Sequence, residues 1–103
     1  MLAACNAQAA DTGTQAKTLI AQNCAACHTV PGVASARGRV GPSLAGIAHQ
    51  QIIAGKFANN PANLRRWIQH PQAMQPGGVM PEMGLNDAQV KIIADYLYTL
   101  DRK

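Results

Sequence analysis

The five residues Cys24-Ala25-Ala26-Cys27-His28 constrain this chain more than any other feature of its sequence. Two cysteines three positions apart, followed directly by a histidine, form the attachment signature of a c-type haem. Each thiol can form a thioether with one vinyl group of the porphyrin, and the histidine is then held under the iron as an axial ligand. The motif therefore predicts one haem c bound covalently to Cys24 and Cys27, with its iron ligated by His28.

Other interpretations of the motif are a redox-active Cys-x-x-Cys, part of a zinc site, or a chance match. A thioredoxin-like motif is expected within a βαβ pattern, and this sequence contains no convincing strands. A structural zinc site needs four ligands. Cys5 could add a ligand, but the chain has no second Cys-x-x-Cys and no His-x-His pair. Haem attachment is therefore the favoured interpretation.

The composition agrees with a bound apolar cofactor. The 103 residues suffice for one small domain. Hydrophobic residues make up 48% of the chain, but 19 of them are alanines, and Leu, Ile, Val and Phe together number only 20. These side chains make a thin core for a domain of this size. A large planar cofactor would fill the missing volume.

Charge and hydropathy exclude some classes of function. The net charge is +4, and the nine Lys and Arg residues are scattered along the chain. Without a basic run, and with only four aromatic residues, the sequence does not predict binding to nucleic acid. The longest uncharged stretch, 18–36, contains Asn, His, Pro and Gly, so no transmembrane helix is predicted. The basic residues are expected on the surface, where some can help to dock an acidic partner.

The extreme N-terminus resembles a bacterial lipobox. In a lipobox such as Leu2-Ala3-Ala4-Cys5, the signal peptide is cut on the N-terminal side of the cysteine, and that cysteine is lipidated. We therefore interpret residues 1–13 as a residual lipobox-like segment and a flexible tether, and residues 14–103 as the folded domain. The alternative is that Cys5 is a free or incidental thiol.

Capping residues and prolines indicate three longer helices, over residues 15–25, 61–70 and 86–100. The residues expected to start them are Thr14, the pair Asn60-Pro61, and Asn86 with Gln89 three positions later. Residues 44–49 can form a short helix, and Ile52-Ile53 can be extended. Residues 29–43 and 71–84, rich in Gly and Pro, are predicted to be loops.

Five sequence blocks, in this order and spacing, resemble those of class I cytochromes c. They are Cys24-Ala25-Ala26-Cys27-His28, Gly41-Pro42-Ser43-Leu44, Leu64-x-x-Trp67-Ile68, Pro76-Gly77-Gly78-Val79-Met80-Pro81, and the final helix with Tyr96-Leu97. The similarity covers roughly residues 14–100. The run 60–81 is especially similar to the cytochrome c domains fused to subunit II of haem–copper oxidases. The resemblance implies an all-α cytochrome c fold of about four to five helices, with long Gly/Pro loops wrapped around one covalently bound haem.

The resemblance also implies a set of site residues. His28 is the proximal iron ligand, and its δ N–H is expected to donate to the carbonyl of Pro42. Met80 is expected to supply sulfur to the opposite face of the haem, with Trp67 beside that sulfur. Ala16, Ile20 and Tyr96 match the crossing of the first and last helices.

Other side chains compete with Met80 for the second axial position. Met83 shares its loop and is the closest rival, whereas Met74 is expected to pack at the haem edge. His49 or His70 would instead give a bis-histidine haem. A Gly/Pro loop is costly to order without an anchor, and Met80 lies in such a loop at the position that the family uses.

The function implied is one-electron transfer, Fe(III)/Fe(II), at a six-coordinate haem in a bacterial respiratory or related redox chain. No nucleophile–base pair or paired carboxylates indicate hydrolysis, so an enzyme is not predicted. The expected partners are redox proteins: a bc-type complex or a dehydrogenase as donor, and a terminal oxidase or reductase as acceptor. We expect a periplasmic monomer, anchored to the membrane as a lipoprotein through Cys5. The alternative is a haem enzyme or sensor with an open or exchangeable axial site.

Overall fold

The computed structural model describes residues 12–100 and is mostly helical, as predicted. Its α-helices are α1 (Thr12–Asn23), α2 (Pro61–Gln69), α3 (Pro71–Met74) and α4 (Asp87–Leu97). A 3-10 turn, Ile47–His49, precedes two short antiparallel strands, β1 (Ile52–Ile53) and β2 (Phe57–Ala58). Within this part of the chain, no helix has both the length and the apolar character needed to cross a bilayer. Cys5 and most of the predicted tether lie outside the described residues.

Helices α1 and α4 pack against each other, and α2 packs against α4. Ile20 of α1 and Ile93 of α4 are fully buried, and Ala16 and Val90 are nearly so. Tyr96 donates its hydroxyl to the carbonyl of Pro31 at 2.8 Å, which joins α4 to the loop that follows α1. The expected crossing of the first and last helices is therefore present, and it holds the C-terminal end of α1 in place.

The predicted starts of α2 and α4 are confirmed. The side chain of Asn60 accepts a hydrogen bond from the Asn63 N–H at 2.8 Å, and Pro61 occupies the first helical position. At α4, the Asn86 side chain accepts from the Gln89 N–H at 2.8 Å, and the Gln89 side chain accepts from the Asn86 N–H at 2.9 Å. This reciprocal pair is the capping box that the sequence indicates.

Two helix boundaries differ from the prediction. Helix α1 already includes Thr12, so Thr14 lies inside it and is not the N-cap. Asp11, Thr12 and Thr14 are all residue types that favour the N-cap position, so the sequence alone does not choose among them. Helix α4 ends at Leu97 and not near Leu100, because the chain tightens there into turns with i to i+3 hydrogen bonds.

The segments predicted as loops or left ambiguous contain two small elements. A short helix, α3, follows α2 directly, because Pro71 provides a first helical position whose missing N–H costs nothing. The strands β1 and β2 form a tight hairpin in which Ile53 pairs with Phe57. Its turn places Ala54 and Gly55 at positive φ, as a type I′ turn requires. The residue preferences of alanine do not predict a positive φ at position 54.

Two adjacent isoleucines on α4 differ in burial, and substituting each of them tests which one belongs to the core. Ile93 is fully buried, whereas Ile92 is partly exposed and lies outside the buried cluster. Ile93→Ala is expected to lower the free energy of unfolding by about 2–5 kcal/mol, because it removes buried methyl groups and leaves a cavity. Denaturant titration of the haem-loaded protein measures the change. Ile92→Ala is the control and should cost clearly less; equal losses would contradict this description of the core.

Candidate functional site

The Cys-x-x-Cys-His residues continue the end of α1 as one further helical turn. The Cys24 N–H donates to the Ile20 carbonyl at 2.8 Å, and the N–H groups of Cys27 and His28 both donate to the Cys24 carbonyl, at 3.1 and 2.9 Å. Positions i, i+3 and i+4 of a helical turn face the same way. The turn therefore directs the side chains of Cys24, Cys27 and His28 to one side, where all three line the same cavity.

The two cysteines do not have the properties of a redox-active pair. They are not joined by a disulfide, and Cys24 is buried. Burial, and secondarily the neighbouring charge of Cys27, raises the pKa of the Cys24 thiol to about 11. Reactive Cys-x-x-Cys motifs depend on a lowered cysteine pKa, so this thiol lacks their main feature. Among residues 12–100, no three His, Cys, Asp or Glu side chains gather into a metal site.

His28 is held by one hydrogen bond, between its Nδ1 and the carbonyl oxygen of Pro42, at 2.7 Å. A carbonyl oxygen only accepts hydrogen bonds, so this contact places a proton on Nδ1, and the neutral ring then has its lone pair on Nε2. Gly41 makes the contact possible, because a Cβ atom there would lie 2.7 Å from Nδ1 and 2.8 Å from Nε2 of the ring. The imidazole is thus oriented and in the tautomer that a metal requires at Nε2.

The loop after the motif is held by backbone hydrogen bonds to the motif itself. The Gly41 N–H donates to the Cys27 carbonyl at 2.7 Å, and the Leu44 N–H donates to the Thr29 carbonyl at 2.9 Å. Gly38 donates to the Ala25 carbonyl at 3.1 Å, and a side chain at Gly38 would strike the backbone of residues 26 and 27. These hydrogen bonds pair backbone N–H and carbonyl groups of the loop although it has no regular structure. They also place Pro42 beside His28.

The cavity has a volume of about 700 Å³, within the usual range of about 300–1,000 Å³ for small-molecule and cofactor pockets. The predicted pocket residues Pro42 and Trp67 both line it, and so does Met80. Trp67 is partly buried and packs against the core, with its ring 6.4 Å from that of Phe57.

The large apolar side chains that the structure leaves exposed lie at this same cavity. Val40, Ile52 and Val79 are 67%, 53% and 80% exposed, and all three line it. A planar apolar group in the cavity would lie against side chains that otherwise face water. Together with two thiols and an oriented imidazole, this apolar lining fits a haem c.

The structure separates the rival iron ligands into two groups. Met80 and Met83 both line the cavity, whereas Met74 does not. His49 and His70 are exposed and do not line it, and His70 Nδ1 instead lies 3.3 Å from a carboxylate oxygen of Glu82. The arrangement therefore disfavours a bis-histidine haem and keeps both loop methionines as candidates.

Gln72 is a residue near the site that the sequence analysis missed. Its side chain makes three hydrogen bonds to the backbone of the loop that carries Met80, at residues 77, 78 and 80. The only sequence signal is a glutamine one position after Pro71, at the start of a Gly/Pro-rich segment. That signal does not reveal the partners, because they lie five to eight residues further along an irregular chain.

Comparison with known sequences places these features in a family. A model of the family described as "Cytochrome c" matches residues 14–101. Subunit 2 of cytochrome c oxidase from Alkalihalophilus pseudofirmus is 33% identical over 79 residues, covering 76% of this chain and 22% of that protein. The same subunit from Bacillus sp. strain PS3 is 28% identical over 90 residues, and the Bacillus subtilis subunit is 30% identical over 82 residues. The chain spans about a quarter or less of the length of these relatives.

Solved structures show the same fold. The c-type cytochrome SorU from Sinorhizobium meliloti superposes with a TM-score of 0.61, at 20% identity. The match covers 89% of this chain and 94% of SorU. The family model, the fold and the cavity with its Cys-x-x-Cys-His turn agree, and the chain belongs to the cytochrome c family, whose members carry covalently bound haem c.

Proposed function

We propose that this protein is a one-electron carrier whose haem c iron is ligated by His28 and Met80. One observation carries the proposal: His28, with Nε2 unprotonated and its ring held by Pro42, lines the same cavity as Met80. Membership of the cytochrome c family, which contains haem-based electron carriers, supports it.

The proposed ligands determine what the site can do. When bound, haem c supplies reversible Fe(III)/Fe(II) exchange. His28 contributes an imidazole whose basicity is raised by the hydrogen bond to Pro42. Met80 contributes a thioether, which favours the reduced state and raises the potential relative to bis-histidine ligation. With His28 and Met80 both bound to the iron, the site would offer no position to a substrate, and the protein would act as an electron carrier without an enzymatic activity of its own.

The proposed place of the protein is a bacterial respiratory or related redox chain outside the cytoplasm. The relatives are subunits of cytochrome c oxidases, so a terminal oxidase is the first acceptor to test, and a reductase is the second. A bc-type complex or a dehydrogenase is the proposed donor. The net charge of +4 suits partners with an acidic docking face.

A haem enzyme or sensor with an open or exchangeable axial site is the alternative. Reduced and oxidised spectra of the intact protein separate the two functions. Six-coordinate low-spin iron in both states supports electron transfer, and five-coordinate or high-spin iron in either state supports the alternative. Electrochemical titration of the same sample gives the potential.

We predict that the haem is attached covalently through the two motif cysteines. Denaturing mass spectrometry of the mature protein should show the added mass of one haem on the polypeptide, beside that of the proposed lipid on Cys5. The double variant Cys24→Ala/Cys27→Ala should lose the covalent haem, because no thiol of the motif remains to form a thioether. Cys5→Ala is the matched control and should keep it. Extraction of the haem from intact wild-type protein by acidified organic solvent would contradict the prediction.

Met80 rather than Met83 is predicted to bind the iron. Met80→Ala should abolish the ferric sulfur-to-iron charge-transfer absorption, lower the potential and open the site to small ligands, because the thioether is lost. Met83→Ala is the control from the same loop and should keep the band, with at most a modest shift in potential. Loss of the band in Met83→Ala, with the band kept in Met80→Ala, would instead identify Met83 as the iron ligand.

We also propose that Cys5 is lipidated and tethers the domain to the membrane beside its redox partners. Protein prepared from its native membrane should require detergent for release and should begin with a lipid-modified Cys5. Cys5→Ser should remove the lipid and leave the haem spectrum unchanged. Release of the wild-type protein without detergent, or a mature N-terminus other than modified Cys5, would rule out the tether.

A further inference from the structure

The side chain of Gln72 is bound entirely by the loop that carries Met80. Its Nε2 donates to the carbonyl oxygens of Gly78 and Met80, at 2.8 Å each. Its Oε1 accepts from the N–H of Gly77 at 3.0 Å. A glutamine amide has two N–H donors and one carbonyl acceptor, so the two donors and the acceptor all contact this one short segment.

The backbone of Gln72 extends the connection past Met80. Its N–H donates to a carboxylate oxygen of Glu82 at 2.9 Å, and the other oxygen of Glu82 lies 3.3 Å from His70 Nδ1. Gln72 itself belongs to α3, which begins at Pro71 directly after α2. One residue of a helix thus binds the loop on both sides of Met80.

The loop has few other means of holding one conformation. Residues 75–84 contain no helix or strand, and Gly77 adopts a positive φ of 79°. Within them, the Gly78 N–H donates to the Gln75 carbonyl at 3.0 Å, which forms one turn. Val79 is 80% exposed, and Met80 itself is only partly buried. An irregular segment with little burial has much conformational entropy to lose. The hydrogen bonds from Gln72 are therefore a main restraint on the position of Met80.

We infer that Gln72 is a positioning residue, which keeps the Met80 sulfur in place as an axial ligand and so sets the resistance of the iron to outside ligands. This inference rests on the proposed His28/Met80 ligation and adds a residue that makes no contact with the iron itself. Loosening the loop makes dissociation of the thioether easier, which lets an added ligand compete for the same position.

The chain offers a matched control in Gln69. Its Nε2 also makes two hydrogen bonds, to the Leu85 carbonyl at 3.2 Å and to the Asp87 carboxylate at 2.7 Å. These bonds join the end of α2 to the start of α4 and do not reach residues 77–80. A change at Gln69 therefore removes bonds of the same kind without releasing Met80.

The experiment uses the haem-loaded protein and its Gln72→Met, Gln72→Glu, Gln72→Asn and Gln69→Met variants. Imidazole is titrated into the ferric form, and the sulfur-to-iron charge-transfer absorption and the potential are recorded alongside.

Gln72→Met should raise the apparent affinity for imidazole about tenfold or more, equivalent to about 1.4 kcal/mol, and weaken the absorption. Gln72→Glu should have a larger effect, since a carboxylate oxygen would face the carbonyl oxygens of Gly78 and Met80. Gln72→Asn, which keeps the amide but shortens its reach, should be intermediate and provides a mild variant if the others do not fold.

Gln69→Met should lower the denaturation midpoint while leaving imidazole affinity and the absorption near wild-type values. The positioning role is overturned if Gln72 variants bind imidazole within twofold of wild type, or if Gln69→Met changes the affinity as much as Gln72→Met does. In both cases the wild-type absorption is still present, so the proposed function stands. If the wild-type protein lacks that absorption, or if Met80→Ala retains it, the proposed ligation fails and the role of Gln72 fails with it.

Discussion

The hydrogen bond between His28 Nδ1 and the Pro42 carbonyl links the parts of the structure on which the site depends. It joins the turn at the end of α1 to the loop that folds back over that turn. It also determines which ring nitrogen keeps its proton, and hence which one can bind a metal. The approach requires glycine at position 41, because any side chain there would collide with the imidazole. The packing of α1 on α4 then fixes the orientation of this whole unit within the domain.

The parts of the fold that the sequence predicted well are those determined by neighbouring residues. The capping box of Asn86 and Gln89 spans four positions, and the haem-binding motif spans five, so their partners can be read directly from the chain. The start of α1 was misplaced because several adjacent residues favour the same cap. The hairpin around Ala54 and Gly55 depends on backbone angles that an alanine seldom adopts, which no propensity indicates.

The site was harder to predict from the sequence, because its contacts join residues that are far apart in the chain. The contact between His28 and Pro42 was expected only because the sequence resembles a known family; spacing alone does not specify a bond between residues fourteen positions apart. The choice of Met80 over Met83 has the same origin, since the structure brings both methionines to the cavity. Gln72 had no counterpart in that resemblance, and its role becomes visible only when the loop is seen folded onto α3.

The two sides of the cavity are held in physically different ways. On the His28 side, the hydrogen bond to Pro42 is supported by a helical turn, by backbone hydrogen bonds between loop and motif, and by two cysteines suited to covalent attachment. On the Met80 side, an irregular segment depends largely on one glutamine side chain and one carboxylate. Local opening is expected where such restraints are fewest. Exchange of an axial ligand is therefore expected on the Met80 side, and polar contacts in this loop offer a way to tune the potential without changing either proposed ligand.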